Sequence, residues 1–108
     1  MAKYLIVASR DLQEYNGSQF IFNVTSQLRK KNNDVTFYLV ENGVFAARKG
    51  ARLNNALQGL SREGAKVLAE DLSLTARGIT QLAEGVAKSN MEELATLVAD
   101  TSDKIIWY

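Results

Sequence analysis

Apolar and polar positions follow two different rhythms along this chain. Short, mainly apolar runs recur at Tyr4-Leu5-Ile6-Val7-Ala8, Val35-Thr36-Phe37-Tyr38-Leu39-Val40, Val67-Leu68-Ala69 and Ile105-Ile106-Trp107-Tyr108. Runs of this length, rich in β-branched and aromatic residues, predict strands covered on both faces, as in a parallel sheet. The strands are expected at residues 3–9, 34–41, 66–69 and 104–108.

Between the runs the apolar positions recur every three to four residues. Phe20, Ile21, Phe22, Val24 and Leu28 predict a helix over residues 18–32, which Ser18 is placed to cap after a turn at Asn16-Gly17. Asn42-Gly43 precedes a brief helical pattern over residues 44–50. Leu53, Ala56, Leu57 and Leu60 then predict a second longer helix closing near Gly64. Ile79, Leu82, Ala83 and Val86 keep helical spacing despite Gly85. Met91, Leu94, Ala95 and Val98 form a stripe behind Ser89 and Glu92, which read as a capping box.

Strands alternating with helices predict the α/β class. The expected architecture is a three-layer sandwich, with a mostly parallel central sheet of four to five strands and helices on both faces. At 108 residues, with no linker or repeat, one domain over residues 1–108 is expected.

Composition narrows the chemistry more than the class. Lys and Arg number 13 against 12 Asp and Glu, a net charge of +1, so no long-range field gathers a polyanion and no nucleic-acid partner is expected. The one basic cluster, Arg29-Lys30-Lys31, ends a helical pattern, where cations answer exposed carbonyls. No apolar run approaches the ~20 residues that span a bilayer, and the start lacks a signal peptide, so a cytoplasmic protein with no membrane partner is expected. Cysteine and histidine are both absent. Disulfides, thiolate chemistry and the usual neutral-pH base are therefore excluded, and no metal site or cofactor is expected.

The stretch Glu70-Asp71-Leu72-Ser73-Leu74-Thr75-Ala76-Arg77-Gly78 follows the third predicted strand. Ligands of open α/β sheets collect outside the carboxyl ends of strands, which makes this the candidate site. Asp71 is expected to cap a short helix over residues 72–76, with Gly78 ending it. Glu70 and Asp71 are neighbours whose side chains diverge on an extended segment, and Ser73 lacks a G-x-S-x-G context. Arg77 is expected to bridge loops or subunits in preference to holding a ligand. Phosphate-loop and dinucleotide fingerprints are absent.

At Ala76-Arg77-Gly78-Ile79 the chain resembles the DsrE/DsrF/DsrH family, also described as the DsrE-like or YchN-like fold. The likeness continues through Gly85-Val86, Met91-Glu92-Glu93-Leu94-Ala95 and Asp103-Lys104-Ile105-Ile106. It also takes in the first strand and Leu39-Val40-Glu41-Asn42-Gly43-Val44, so it covers nearly the whole chain. The resemblance implies a small parallel α/β domain assembling into homo-oligomers, trimers or hexamers, in a setting of sulfur relay. It also implies that the family's sulfur-carrying cysteine lies just after strand three, where a C-x-x-C form of the motif falls on Glu70 and Ser73. Neither residue carries sulfane sulfur, since the thiolate is the reactive species.

The expected function is accordingly a non-catalytic DsrE-like oligomeric protein, an interaction or regulatory subunit, with a cysteine-containing DsrE-family protein as a partner. Its expected pocket comprises Ser9, Arg10, Asn42, Glu70, Asp71, Ser73 and Arg77. Two rival readings use the same residues. One is a hydrolase or transferase built on Glu70, Asp71, Ser73 and Arg77; the other is a small-anion-binding protein in which Arg10 and Arg77 face one cavity.

Overall fold

A computed structural model describes residues 1–14 and 17–108, so the expected Asn16-Gly17 turn lies partly outside the described residues. The elements run in the order β1 (Lys3–Ala8), α1 (Ser18–Lys30), β2 (Asp34–Leu39), a 3₁₀ segment (Glu41–Ala47), α2 (Asn54–Arg62), β3 (Lys66–Glu70) and α3 (Asp71–Ala76). They continue with β4 (Val86–Ser89), α4 (Met91–Thr96), a π-helical turn (Leu97–Thr101) and β5 (Lys104–Trp107). The five strands form one sheet in the order β4-β3-β2-β1-β5. All four pairings are parallel, and helices lie against both faces, as the apolar runs of the central strands require.

The two faces are covered unequally. On one, Ile6, Phe37, Leu39 and Val67 pack with Ile21, Phe22, Leu57 and Leu60 of α1 and α2, and the rings of Phe22 and Phe37 stack at 5.7 Å between centroids. On the other, Leu5, Val7, Tyr38, Val40 and Leu68 form a smaller apolar cluster with Leu94, the one buried helical member among the described residues, and with Leu97 at the margin. Of the stripe predicted for the last helix, Leu94 alone is buried; Met91 and Val98 are exposed, and so are Ile105 and Trp107 of β5. The amphipathic pattern is real, but one short helix is too small to cover this face.

Several expected boundaries move for identifiable reasons. The helix expected around Ile79 to Val86 does not form. Gly78 N–H donates to the Thr75 carbonyl and Ile79 N–H to the Leu74 carbonyl, with Gly78 left-handed at φ 66°, so α3 is closed by a Schellman motif. The chain then runs extended, where Lys49 N–H reaches the Gln81 carbonyl and Ala83 N–H reaches the Ala47 carbonyl. That pairing buries Ile79 and Ala83 without a helix, and the chain passes into β4 beside β3. Helical spacing here reflected two buried anchors on an extended segment.

Three expected caps are replaced as well. Ser18 makes no capping bond; Gly17 stands at the N-cap of α1. Ser89 is the last residue of β4, and Asn90 caps α4 by accepting from Glu93 N–H at 2.8 Å. Asp71 is the first residue of α3, and Glu70 is its cap. The brief helix after Asn42 is a 3₁₀ segment that begins earlier, at Glu41, and ends at Ala47, before Gly50. Gly43 is required within it, because a Cβ there would overlap the Ala8 carbonyl oxygen. That close approach packs the segment onto the end of β1.

Candidate functional site

At the carboxyl end of β3 the chain passes directly into α3, and the junction is organised by the Glu70 side chain. Glu70 is only 1% exposed. One carboxylate oxygen accepts from Leu72 N–H at 2.7 Å; the other accepts from Ser73 N–H at 2.9 Å and from the Ser73 hydroxyl at 2.6 Å. The carboxylate thus sits at the helix amino end, satisfying free amides in the manner of an N-cap and answering their partial positive charge. Asp71 could not do this from inside the first turn.

The Ser73 hydroxyl extends the network. While donating to Glu70 it accepts from Glu41 N–H at 2.8 Å. Glu41 is a non-glycine residue in the left-handed region, at φ 55°, a conformation that persists when its surroundings hold it. Ser73 therefore fixes the turn from β2 into the 3₁₀ segment. Asn42, the next residue, accepts from Arg77 Nε at 3.1 Å and Nη2 at 2.8 Å, while Nη1 donates to the Ser73 carbonyl at 3.2 Å. The same guanidinium lies over the Phe45 ring, 5.7 Å from its centroid, a cation-π arrangement.

Charge follows from this geometry. Burial alone would raise the Glu70 pKa, but the Ser73 hydroxyl and the amides of Leu72 and Ser73 outweigh it and hold the carboxyl below the ordinary glutamate value. A carboxylate whose pKa is lowered, and whose oxygens already accept three hydrogen bonds, is a poor general base. Ser73, 93% buried behind it, is correspondingly hard for a substrate to reach. The pair resembles a nucleophile beside a base in its distance alone.

Of the seven expected residues, Asn42, Glu70, Ser73 and Arg77 join one hydrogen-bonded ring, and Asp71 borders it. Ser9 turns elsewhere: its N–H donates to the Tyr108 carbonyl at 2.9 Å, and its hydroxyl approaches the same oxygen at 3.4 Å. Arg10 is exposed in the loop after β1, with its carbonyl near Gly43. The guanidinium of Arg77 is committed to Asn42, Ser73 and Phe45. The open hollow beside the ring, about 320 Å³, is lined by Asp71, Leu72, Asn90, Met91 and Glu92. Neither Glu70 nor Ser73 lines it.

A second polar cluster, absent from the sequence-based site, locks the neighbouring helix. The buried Tyr38 hydroxyl lies 2.9 Å from both Ser89 Oγ and the Asn90 carbonyl, and Ser89 Oγ in turn pairs with the Glu93 carboxylate. Burial raises the Tyr38 pKa despite the Ser89 bond, and the negative charges of Glu70, Glu93 and Asp71 raise it further. The signal in the sequence was a tyrosine inside a mainly apolar central run, since a buried phenol needs a partner.

The profile of the DsrE/DsrF-like family matches residues 2–108. This chain belongs to the DsrE/DsrF-like family. It is a member without cysteine. Among solved structures, the YchN protein from E. coli superimposes with a TM-score of 0.86 at 23% identity, each chain covered over 100% of its length. MTH1491 from Methanobacterium thermoautotrophicum, described as a protein of unknown function, superimposes with a TM-score of 0.77 at 14% identity, again over 100% of both chains. These two show that the five-stranded α/β fold is shared. No curated protein matches the sequence. Among the described residues no three of His, Cys, Asp and Glu stand together as a metal ion requires, and no helix is long and apolar enough to cross a membrane.

Proposed function

We propose that this chain is a non-catalytic member of its family, acting as an oligomeric interaction or regulatory subunit in a setting of intracellular sulfur relay. The observation that carries the reading is the Glu70–Ser73 cap. Where the family resemblance places a sulfur-carrying thiol, this chain has a buried carboxylate bonded to its own helix. The position is used for folding, and a carboxylate and an alcohol offer no sulfur nucleophile.

What the chain retains is surface. Ile105 and Trp107 on edge strand β5, with Val98 beyond α4, leave apolar side chains exposed on the thinly covered side of the sheet. Exposed apolar side chains beside an open strand edge suit association. The occupant in this reading is a second copy of the chain, in a trimer or hexamer, and a cysteine-containing family member is the further partner. The rival hydrolase or transferase needs Glu70 and Ser73 open to substrate, and the anion-binding reading needs Arg77 to face a cavity; the ring of bonds weighs against both.

Light scattering on the purified protein at micromolar concentration tests the assembly. A trimer or hexamer is expected, falling to a smaller species in Trp107→Glu with the circular dichroism unchanged. A monomer at every concentration, or an assembly indifferent to Trp107→Glu, would refute the proposed interface.

A further inference from the structure

At the opposite end of the sheet lies a cavity of about 370 Å³, bounded by the amino ends of β1, β2 and β3 and by the π-helical turn before β5. This volume falls within the range of small-molecule sites. Its floor is set by strand register. Lys3 pairs with Asp34, and Thr36 pairs with Lys66. Positions 3, 34, 36 and 66 share the face of Leu5, Tyr38 and Leu68, because side chains alternate along a strand.

Thr36 is the decisive residue. It interrupts the apolar run of a central strand and is 93% buried. Among the described residues its hydroxyl has no hydrogen-bond partner, yet it is not sealed from solvent; the opening it reaches is this cavity. A polar group kept almost wholly inside, with no partner of its own, costs stability unless something in the cavity answers it. On either side of it stand Lys3 and Lys66, on strands about 10 Å apart across β2. Neither ammonium forms an ion pair among the described residues.

We infer that this cavity binds a small phosphomonoester carrying free hydroxyls. The phosphate, close to a dianion at neutral pH, takes both ammonium groups and the Thr36 hydroxyl, which donates to it. The cavity is larger than a phosphate alone needs, and beside Leu97 and Tyr4 its wall carries further polar groups. Asp34 accepts hydrogen bonds from ligand hydroxyls, and Thr101 and Ser102 exchange them from the far side. One carboxylate against two ammonium groups leaves a net positive charge, the right sign for this class. The site shares no residue with the Glu70 ring or with β5, so it stands or falls independently of the assembly reading.

Amide NMR titration at low ionic strength tests it, with glycerol 3-phosphate as ligand and glycerol as the uncharged control. Saturable shifts are expected at Thr36, Lys66 and Ser102 with glycerol 3-phosphate, and none with glycerol. Thr36→Val, which removes the hydroxyl at nearly constant shape, should weaken binding about tenfold. Lys66→Gln, at an exposed position that leaves folding intact, should weaken it by a similar factor. Inorganic phosphate should bind more weakly than the ester. The inference is overturned by an absence of saturable shifts, by shifts scattered over the surface, by binding indifferent to Thr36→Val and Lys66→Gln, or by phosphate binding as tightly as the ester.

Discussion

The two ends of the sheet handle polar groups in opposite ways. At the carboxyl end of β3, where ligands of open α/β sheets collect, Glu70 and Ser73 consume each other's hydrogen-bonding capacity and that of the surrounding backbone. At the amino end, the Thr36 hydroxyl has no hydrogen-bond partner among the described residues, and Lys3 and Lys66 form no ion pair there. A cluster of polar residues at a favourable place in the topology is therefore not in itself a site. What distinguishes a structural cluster from a receptive one is whether its donors and acceptors are already matched.

The sharpest contrast should come from truncating each end. Glu70→Ala leaves two helix amides and the Ser73 hydroxyl without their acceptor and should cost about 3 kcal/mol in urea denaturation. Ser73→Ala removes one donor to Glu70 and the acceptor of Glu41 N–H in its left-handed turn; about 1.5 kcal/mol is expected by the same measurement. At the other end, Lys66→Gln should change stability by less than about 0.5 kcal/mol. Equal losses at both ends would erase the distinction.

Much of this was legible in the sequence. The apolar runs marked four strands and the burial of the central ones on two faces, though β5 leaves Ile105 and Trp107 exposed, and Gly78 marked the end of α3. β4 was not legible, because Val86-Ala87-Lys88-Ser89 is short and largely exposed, and the apolar spacing before it imitates a helix. The cap of α3 was missed by one residue. Asp is the more familiar capping residue, but the strand runs to Glu70, whose longer side chain folds back onto the amides of Leu72 and Ser73. Arg77 was read as a bridge, and it does span α3 and the 3₁₀ segment through Asn42. Ser9 could not be placed, since its partner Tyr108 is 99 residues away in sequence.

The central claim is that the Glu70 carboxylate is a charged cap of the fold and not a reacting group. Its folded-state pKa lies below the ordinary glutamate value, so its contribution is complete above that value and is lost as pH falls through the folded one. The direct test is the stability of the wild-type protein against Glu70→Gln, by urea denaturation from pH 7 to pH 3. The account predicts that the wild type is more stable by about 1 to 2 kcal/mol at neutral pH and that the gap closes as the carboxylate is protonated. Two proteins of equal stability at every pH would contradict it.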